Sequence, residues 1–246
     1  MKITIYFFGM DAMRFSAVGQ PMAWVAAFTI VVAAIIAIRQ DNLKARLAYS
    51  TVSQLSYIVL GAALASHDAL VEGALHIVTH AAGKITLFFC AGAIYVAAHK
   101  TKVSELDGLG PQMPFTFAAF TLAGMSIIGL PPLAGSWDKL LLMEGAVEAG
   151  TPVMMGVLLV SSLLGIAYLM PIPIRAFFMP ERGAPAAADD PSGEARAART
   201  RKIREAPWAC VVPLCLTALA CFFLFFFEDQ LVEPLAHRLG YGWRLE

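Results

Sequence analysis

The sequence predicts an all-α polytopic membrane protein with about seven transmembrane segments. Three observations carry that expectation. Of 246 residues, 59% are hydrophobic and 15% charged, whereas a soluble domain is roughly 45–50% apolar and about 25% charged. Apolar runs of about 20 residues, the helix length that crosses a bilayer, recur along the chain. One of these, from Leu70 to Lys100, carries Glu72, His76, His80 and Lys84, each four residues after the last.

Residues 1–19 read as a fragment: the apolar run Ile3–Met10 is too short to span, and an amphipathic link follows. No small-residue cleavage site follows that run, so no signal peptide is read and insertion relies on the helices themselves. The first full span covers about 21–38, is closed by Arg39, and has Thr29 as its one polar interior residue; it reads as a packing helix. The next helix opens at Asp41 or Asn42, either able to cap it, with Lys44 and Arg46 in its first turns. Ser50, Ser53, Gln54 and Tyr57 then recur at i, i+3, i+4 and i+7, one polar face that lipid cannot satisfy. Taken by its spacing, Lys44 fits equally an anchor that snorkels to the interface.

In the central helix, four-residue spacing puts Glu72, His76, His80 and Lys84 on one face, drifting about 40° per step and covering roughly 18 Å. An ion at the depth of Lys84 costs at least about 2.5–3.5 kcal/mol, so it must face protein or trapped water. The row is either a polar seam between helices or a relay of titratable groups for protons. The relay is favoured because His and Lys change charge readily when buried.

Residues 99–113 read as a polar loop with Gly108, Gly110 and Pro111 as breakers. The following apolar run stops at GLPPLAG, where Gly129, Pro131, Pro132 and Gly135 interrupt the helix, and Asp138 and Lys139 follow at once. Prolines remove backbone donors, and an interruption beside charged residues marks the discontinuous helix of a transporter; a surface turn between two short helices is the plainer alternative. Another span covers 152–178, with Pro171 and Pro173 near its end. Residues 180–206 are rich in Ala, Pro, Gly and charge, the composition of a flexible loop. A last span covers about 208–227, and Tyr241 and Trp243 in the tail suit a membrane interface.

Composition also excludes. Zero net charge gives nucleic acid nothing to bind. The four cysteines Cys90, Cys210, Cys215 and Cys221 lie in apolar runs at spacings that fit neither a disulfide framework nor a zinc site. No haem, iron–sulfur, flavin or nicotinamide motif is present, so no cofactor and no metal is expected. Nor does a nucleophile–base pair point to an independent enzyme. Basic residues divide nearly evenly between the two sides, and the basic stretch within 180–206 tips that side towards the cytoplasm.

Three segments, DNLKARLAYSTVSQLSY, HIVTHAAGKITLFFCAGAI and ELDGLGPQMPFTFAAFTLAGMSIIGLPPLAGSWDK, resemble the large antiporter subunits of Mrp-type cation/proton antiporters, the D-type above all. The proton-pumping membrane subunits of respiratory complex I are similar at the same places. The resemblance covers about residues 20–150 by motif and the rest by layout.

It implies two inverted five-helix repeats, each with a broken helix, and a central row of Lys, His and Glu that carries protons. Residues from about 43 to 178 then correspond to the second repeat. The wider bundle is 20–178, preceded by a remnant at 1–19 and followed by the hydrophilic loop at 179–206 and the final helix and tail at 207–246. Lys84 falls on the central lysine, His80 on the histidine a turn before it, Lys139 on the charged residue of the broken helix and Lys44 on the basic residue that opens the repeat. The first repeat has no counterpart, so the chain resembles a C-terminal half starting at an internal methionine.

Where the family has Gly-Phe-x-Ser-Lys, this chain has Gly135-Ser136-Trp137-Asp138-Lys139, and the added acid is placed to pair with Lys139. The implied function is a proton-translocating subunit or half-subunit of a multisubunit monovalent cation/proton antiporter. Lys84, His80, His76, Lys139 and Lys44 form its relay, Glu72, Asp138 and Glu144 are charge partners, and Ser50, Ser53, Gln54 and Tyr57 hold water. The redox-driven alternative is a proton-pumping membrane subunit of a complex I-like oxidoreductase or membrane hydrogenase. A non-transporting assembly fragment is the alternative of another class. Expected partners are the other subunits of such an assembly, a separately encoded N-terminal half, the lipid of a bacterial cytoplasmic membrane, and protons with Na⁺ or K⁺.

Residues 180–206 cannot bury enough apolar area to offset their ordering entropy. Limited proteolysis in oriented vesicles is therefore expected to cut there first; resistance there with cleavage at 99–113 would refute the loop assignment.

Overall fold

The computed structural model describes residues 18–180, 203–227 and 230. Apart from one antiparallel bridge between Asn42 and Lys102, all regular structure among them is helical. The helices are α1 (Gly19–Arg39), α2 (Leu43–Leu64), α3 (His67–Ala98), α4 (Pro114–Ile128), α5 (Gly135–Glu148), α6 (Pro152–Leu169), α7 (Pro171–Phe178) and α8 (Trp208–Phe226), with a 3₁₀ turn at Val103–Glu105. Five helical stretches, Gly19–Arg39, Leu43–Leu64, Ala69–Ala98, Pro152–Phe178 and Trp208–Phe226, are long and apolar enough to cross a membrane. The chain is an integral, multi-pass membrane protein. α4, 15 residues long, is a shorter apolar helix, so the described residues hold five spans and one shorter apolar helix where about seven segments were expected; α5, 14 residues long, carries the charged pair Asp138 and Lys139. The N-terminal fragment (1–17), most of the hydrophilic loop (181–202) and the aromatic tail lie outside the described residues.

α3, with 32 residues, is the longest element among the described residues and the hub, packing on α2, α4, α5 and α8, while α1 lies on α2 and α6. Exposed apolar side chains such as Phe28, Leu163 and Leu216 face outwards, as a lipid-facing surface requires. α1 satisfies Thr29 within the helix, its hydroxyl donating to the Val25 carbonyl at 2.8 Å, consistent with a packing role. α2 starts on Asn42, whose side chain accepts from Ala45 N at 3.1 Å. Asp41 turns instead to Ser104, accepting from its backbone N at 3.0 Å and its hydroxyl at 2.8 Å.

The stretch 99–113 differs from its reading as a plain polar loop. Val103, Leu106, Leu109 and Met113 are buried in the core. Asp107 forms a two-pronged bridge with Arg175 of α7, at 2.8 and 3.1 Å, and Gly110 N donates to the Ala176 carbonyl at 2.8 Å. Its polar groups find partners in α7 and in the α1–α2 turn, which frees its leucines to pack. At the end of the stretch read as the hydrophilic loop, Glu205 caps α4, accepting from Phe115 N at 2.7 Å, Thr116 N at 3.2 Å and the Thr116 hydroxyl at 2.7 Å. A carboxylate at a helix N-terminus satisfies donors that have no partner within the helix.

The chain breaks between α4 and α5, as GLPPLAG predicts. α4 ends on Gly129 at φ +89°, a conformation that favours glycine; the Pro131–Pro132 peptide is cis. α5 resumes at Gly135, where a Cβ would stand 1.9 Å from the Ser126 carbonyl oxygen. Gly135 therefore lets the two half-helices touch backbone to backbone.

Gly135→Val is expected to destabilise the fold by at least about 1–3 kcal/mol through overpacking, read as an earlier thermal transition in detergent. Gly156→Ala, where an added Cβ meets nothing within 4 Å, is the control and should hold or slightly raise stability, since Ala favours helix over Gly.

Candidate functional site: a buried polar layer

Most buried apolar residues of the described chain fall into two clusters, with Leu70, Val71 and Leu75 of α3 among those in neither. On α2 one contains Leu47 and the other Tyr57 and Leu60; on α3 the second ends at Ala69 and the first begins at Leu87. The same two clusters hold Ile128 and Leu142 on the two half-helices, and Tyr168 and Leu158 on α6. In the interval on each element lie buried polar groups: Ser50, Ser53 and Gln54 on α2, Glu72, His76, Thr79, His80 and Lys84 on α3, Asp138 and Lys139 on α5, and Ser161 on α6. The i, i+4 row of α3 is thus one wall of a polar layer shared by four elements.

Lys84 Nζ donates to Ser50 Oγ at 2.6 Å and to the Leu47 carbonyl at 3.2 Å. Ser50 in turn donates to the Tyr168 hydroxyl at 3.0 Å. Lys139 Nζ donates to the Ile128 carbonyl at 2.6 Å, a backbone acceptor freed by the break, and to Ser162 Oγ at 3.1 Å, and it lies 5.6 Å from the Tyr57 ring centre. Tyr57, His76 and His80 form a stack, with ring centres 5.7 and 5.3 Å apart. Ser53 donates to the Ile30 carbonyl at 2.8 Å and so serves helix packing. Gln54, His76, Thr79, His80, Asp138 and Lys139 border a cavity of about 10 Å³, about the space of one water. His76 Nε2, His80 Nε2, Gln54 Oε1 and Asp138 Oδ1 have no hydrogen-bond partner in the structure.

Three placements differ from expectation. Asp138 forms its hydrogen bonds not with Lys139 but with His76, 3.1 Å from Oδ2 to Nδ1, and with the Thr79 hydroxyl. Consecutive residues stand about 100° apart on a helix, so the acid faces α3 while the lysine faces the break and α6. Glu144, five residues beyond Lys139 and about 140° round the helix, is exposed and outside the buried set. Lys44 is exposed too, its Nζ 5.3 Å from the Tyr95 ring centre. The buried cation of that turn is Arg46, which donates to the carbonyls of Gln40 at 2.8 Å and of Ile38 and Tyr168 at 3.3 Å. It sits at the end of α1, where carbonyls and the helix dipole favour a cation. Glu72 is fully buried, 3.8 Å from His76 Nδ1.

Sequence reasoning passed over Thr79, Ser161, Ser162 and Tyr168. Tyr168 had a signal, a hydroxyl late in an otherwise apolar span; Thr79 lies one residue before His80 and was masked by its titratable neighbours. Among the described residues no cluster of three His, Cys, Asp or Glu side chains could hold a metal ion.

A helical membrane bundle with a broken helix and buried lysines, histidines and acids defines a class of polytopic membrane proteins that carry a polar layer inside the bundle. More narrowly, the chain belongs to the NADH:quinone oxidoreductase/Mrp antiporter transmembrane family, which it matches over residues 2–165. Subunit N of the NADH-quinone oxidoreductase of Desulforudis audaxviator is 37% identical over 229 residues, 92% of this chain and 44% of that protein. Subunit L of the Mycobacterium tuberculosis NADH-quinone oxidoreductase is 38% identical over 156 residues, 63% of this chain and 23% of that protein. The chain thus spans less than half the length of these curated relatives. A chain of the Mrp complex of Dietzia sp. DQ12-45-1b shares the fold with a TM-score of 0.76 at 23% identity, covering 94% of this chain and 51% of that one. A chain of Thermus thermophilus respiratory complex I does so at 0.71 and 21%, covering 96% and 49%.

Water-soluble amine acylation in detergent is expected to label Lys44 and Lys102 and to spare Lys84 and Lys139, both 5% exposed. Peptide mass spectrometry reads the sites, and rapid labelling of Lys84 would contradict its burial.

Proposed function

We propose that the chain translocates protons as a membrane subunit, or part of one, of a multisubunit monovalent cation/proton antiporter in a bacterial cytoplasmic membrane. The observation that carries this reading is the polar layer: two buried lysines and two histidines held between apolar clusters. Lys84 is the central carrier, since its ammonium can release a proton where a guanidinium cannot. Ser50, itself bonded to the Tyr168 hydroxyl, gives it a hydroxyl partner on one side, and His80 and His76 continue the row on the other. Lys139 is the carrier at the break. Water in the cavity beside Lys139 would bridge the unpartnered nitrogens. Lys44, at the exposed end of α2, is proposed as an entry or exit group. Residues of about 43–178 act as one five-helix repeat, and the remaining subunits of the complex supply the rest of the path.

A redox-driven assembly is the second reading, favoured by the 37% identity to subunit N of an NADH-quinone oxidoreductase over nearly the whole chain. There the same layer would move protons while partner subunits carry the electrons. Genes for small multi-span subunits beside this one favour the antiporter, and genes for iron–sulfur or quinone-site subunits the redox complex.

Lys84→Ala is expected to abolish proton movement in the assembled complex while leaving its yield unchanged, and Lys84→Arg to fail largely as well. His80→Ala should weaken transport less, since water can bridge the gap. Complex yield and vesicle pH change are the measurements. Tolerance of Lys84→Arg together with a loss of complex yield in Lys84→Ala would mark the row as structural glue.

A further inference from the structure

We propose that Asp138 is a positioning residue for His76: it holds the neutral imidazole with its proton on Nδ1 and its bare Nε2 turned to the cavity beside Lys139. The assignment rests on geometry, and its use in transport rests on the relay reading above. His76 Nδ1 has two carboxylates near it, Asp138 Oδ2 at 3.1 Å and Glu72 Oε1 at 3.8 Å; only the first is within hydrogen-bond reach. Asp138 Oδ2 also accepts the Thr79 hydroxyl. An ionised Asp138 can only accept, so the proposal makes His76 Nδ1 the second donor to the oxygen that Thr79 already bonds. The ring nitrogen that makes the outward bond fixes which nitrogen is left free, and the free one, Nε2, is buried without a partner in a side chain that borders the cavity.

Stacking holds the ring plane without choosing a tautomer, since Tyr57 and His80 cover its faces. The charged and titratable groups around His76 are Glu72 and His80 on its own helix, Tyr57 on α2, and Asp138 and Lys139 on α5. Of these only Asp138 reaches an imidazole nitrogen. The residue pair at 138–139 then divides its work. Lys139 is bound by the Ile128 carbonyl and Ser162, and Asp138 orients an acceptor across the cavity.

The test is ¹⁵N-histidine NMR of the full chain in lipid at mildly alkaline pH, with His76→Gln to identify the His76 signals. The expected spectrum has a protonated-type Nδ1 and an unprotonated-type Nε2 for His76. Asp138→Asn and Asp138→Ala should each move the proton to Nε2. An Nε2–H form in the unmodified protein, or an Nδ1–H form that survives both substitutions, overturns the proposal. Proton flux through the assembled complex is measured separately. If the tautomer switches and flux is unchanged, the positioning assignment stands and the relay role of His76 fails.

Discussion

The interaction on which the rest of the structure depends is the bond from the Lys139 ammonium to the Ile128 carbonyl at 2.6 Å. In hydrocarbon, a broken helix and a buried cation are each unfavourable, because neither has water to satisfy it. Placed together they satisfy each other, as the break frees a carbonyl and the cation takes it. Gly129 lets α4 end in a left-handed residue, and Gly135 lets the second half-helix return against Ser126. Ser162 and the Tyr57 ring complete the surroundings of the ammonium. Remove the break, and Lys139 loses its principal acceptor; remove Lys139, and the carbonyl is left buried and unpaired.

The two apolar clusters give this arrangement its wider setting. Each packs the bundle on one side of the polar layer, so the layer need not hold the helices together by itself. On the relay reading proposed above, that separation matters. A row that also provided all the packing energy could not change its protonation without loosening the bundle. Here Leu47, Leu87, Tyr168 and their neighbours hold one side, and Leu60, Leu142 and Leu158 the other.

What the sequence made legible follows from period and punctuation. Glu72, His76, His80 and Lys84 announce a helical face by spacing, and GLPPLAG announces a break by its prolines and glycines; both stand in the fold. The partners were less legible. Asp138 and Lys139 are adjacent in the chain, and adjacency suggests a pair, but a helix turns them about 100° apart and each bonds to another element. Lys44 and Arg46 look alike in sequence; carbonyls at the end of α1 and of Tyr168 select Arg46 for burial. The loop at 99–113 looked polar because its leucines are outnumbered, yet Arg175, 68 residues beyond Asp107, supplies the partner that lets them pack. Tertiary pairing at such separations leaves no local pattern.

On the relay reading proposed above, charge counting gives the acid at 138 a part in the row. With both lysines charged, both acids charged and both histidines neutral, the buried set Glu72, His76, His80, Lys84, Asp138 and Lys139 has no net charge. A buried excess charge is expensive and a balanced set costs less; Glu72, whose two carboxylate oxygens have no hydrogen-bond partner in the structure, is the costly member of this one. A proton that leaves Lys84 and arrives on a histidine preserves that balance; only entry and exit disturb it, by one unit. Without Asp138 the same set would rest at one positive charge, and an arriving proton would raise it to two. The acid beside Lys139 therefore does more for the row when it faces His76 than when it closes on the lysine. A direct pair would bind both charges in place, whereas the observed geometry leaves the lysine bound only by neutral acceptors.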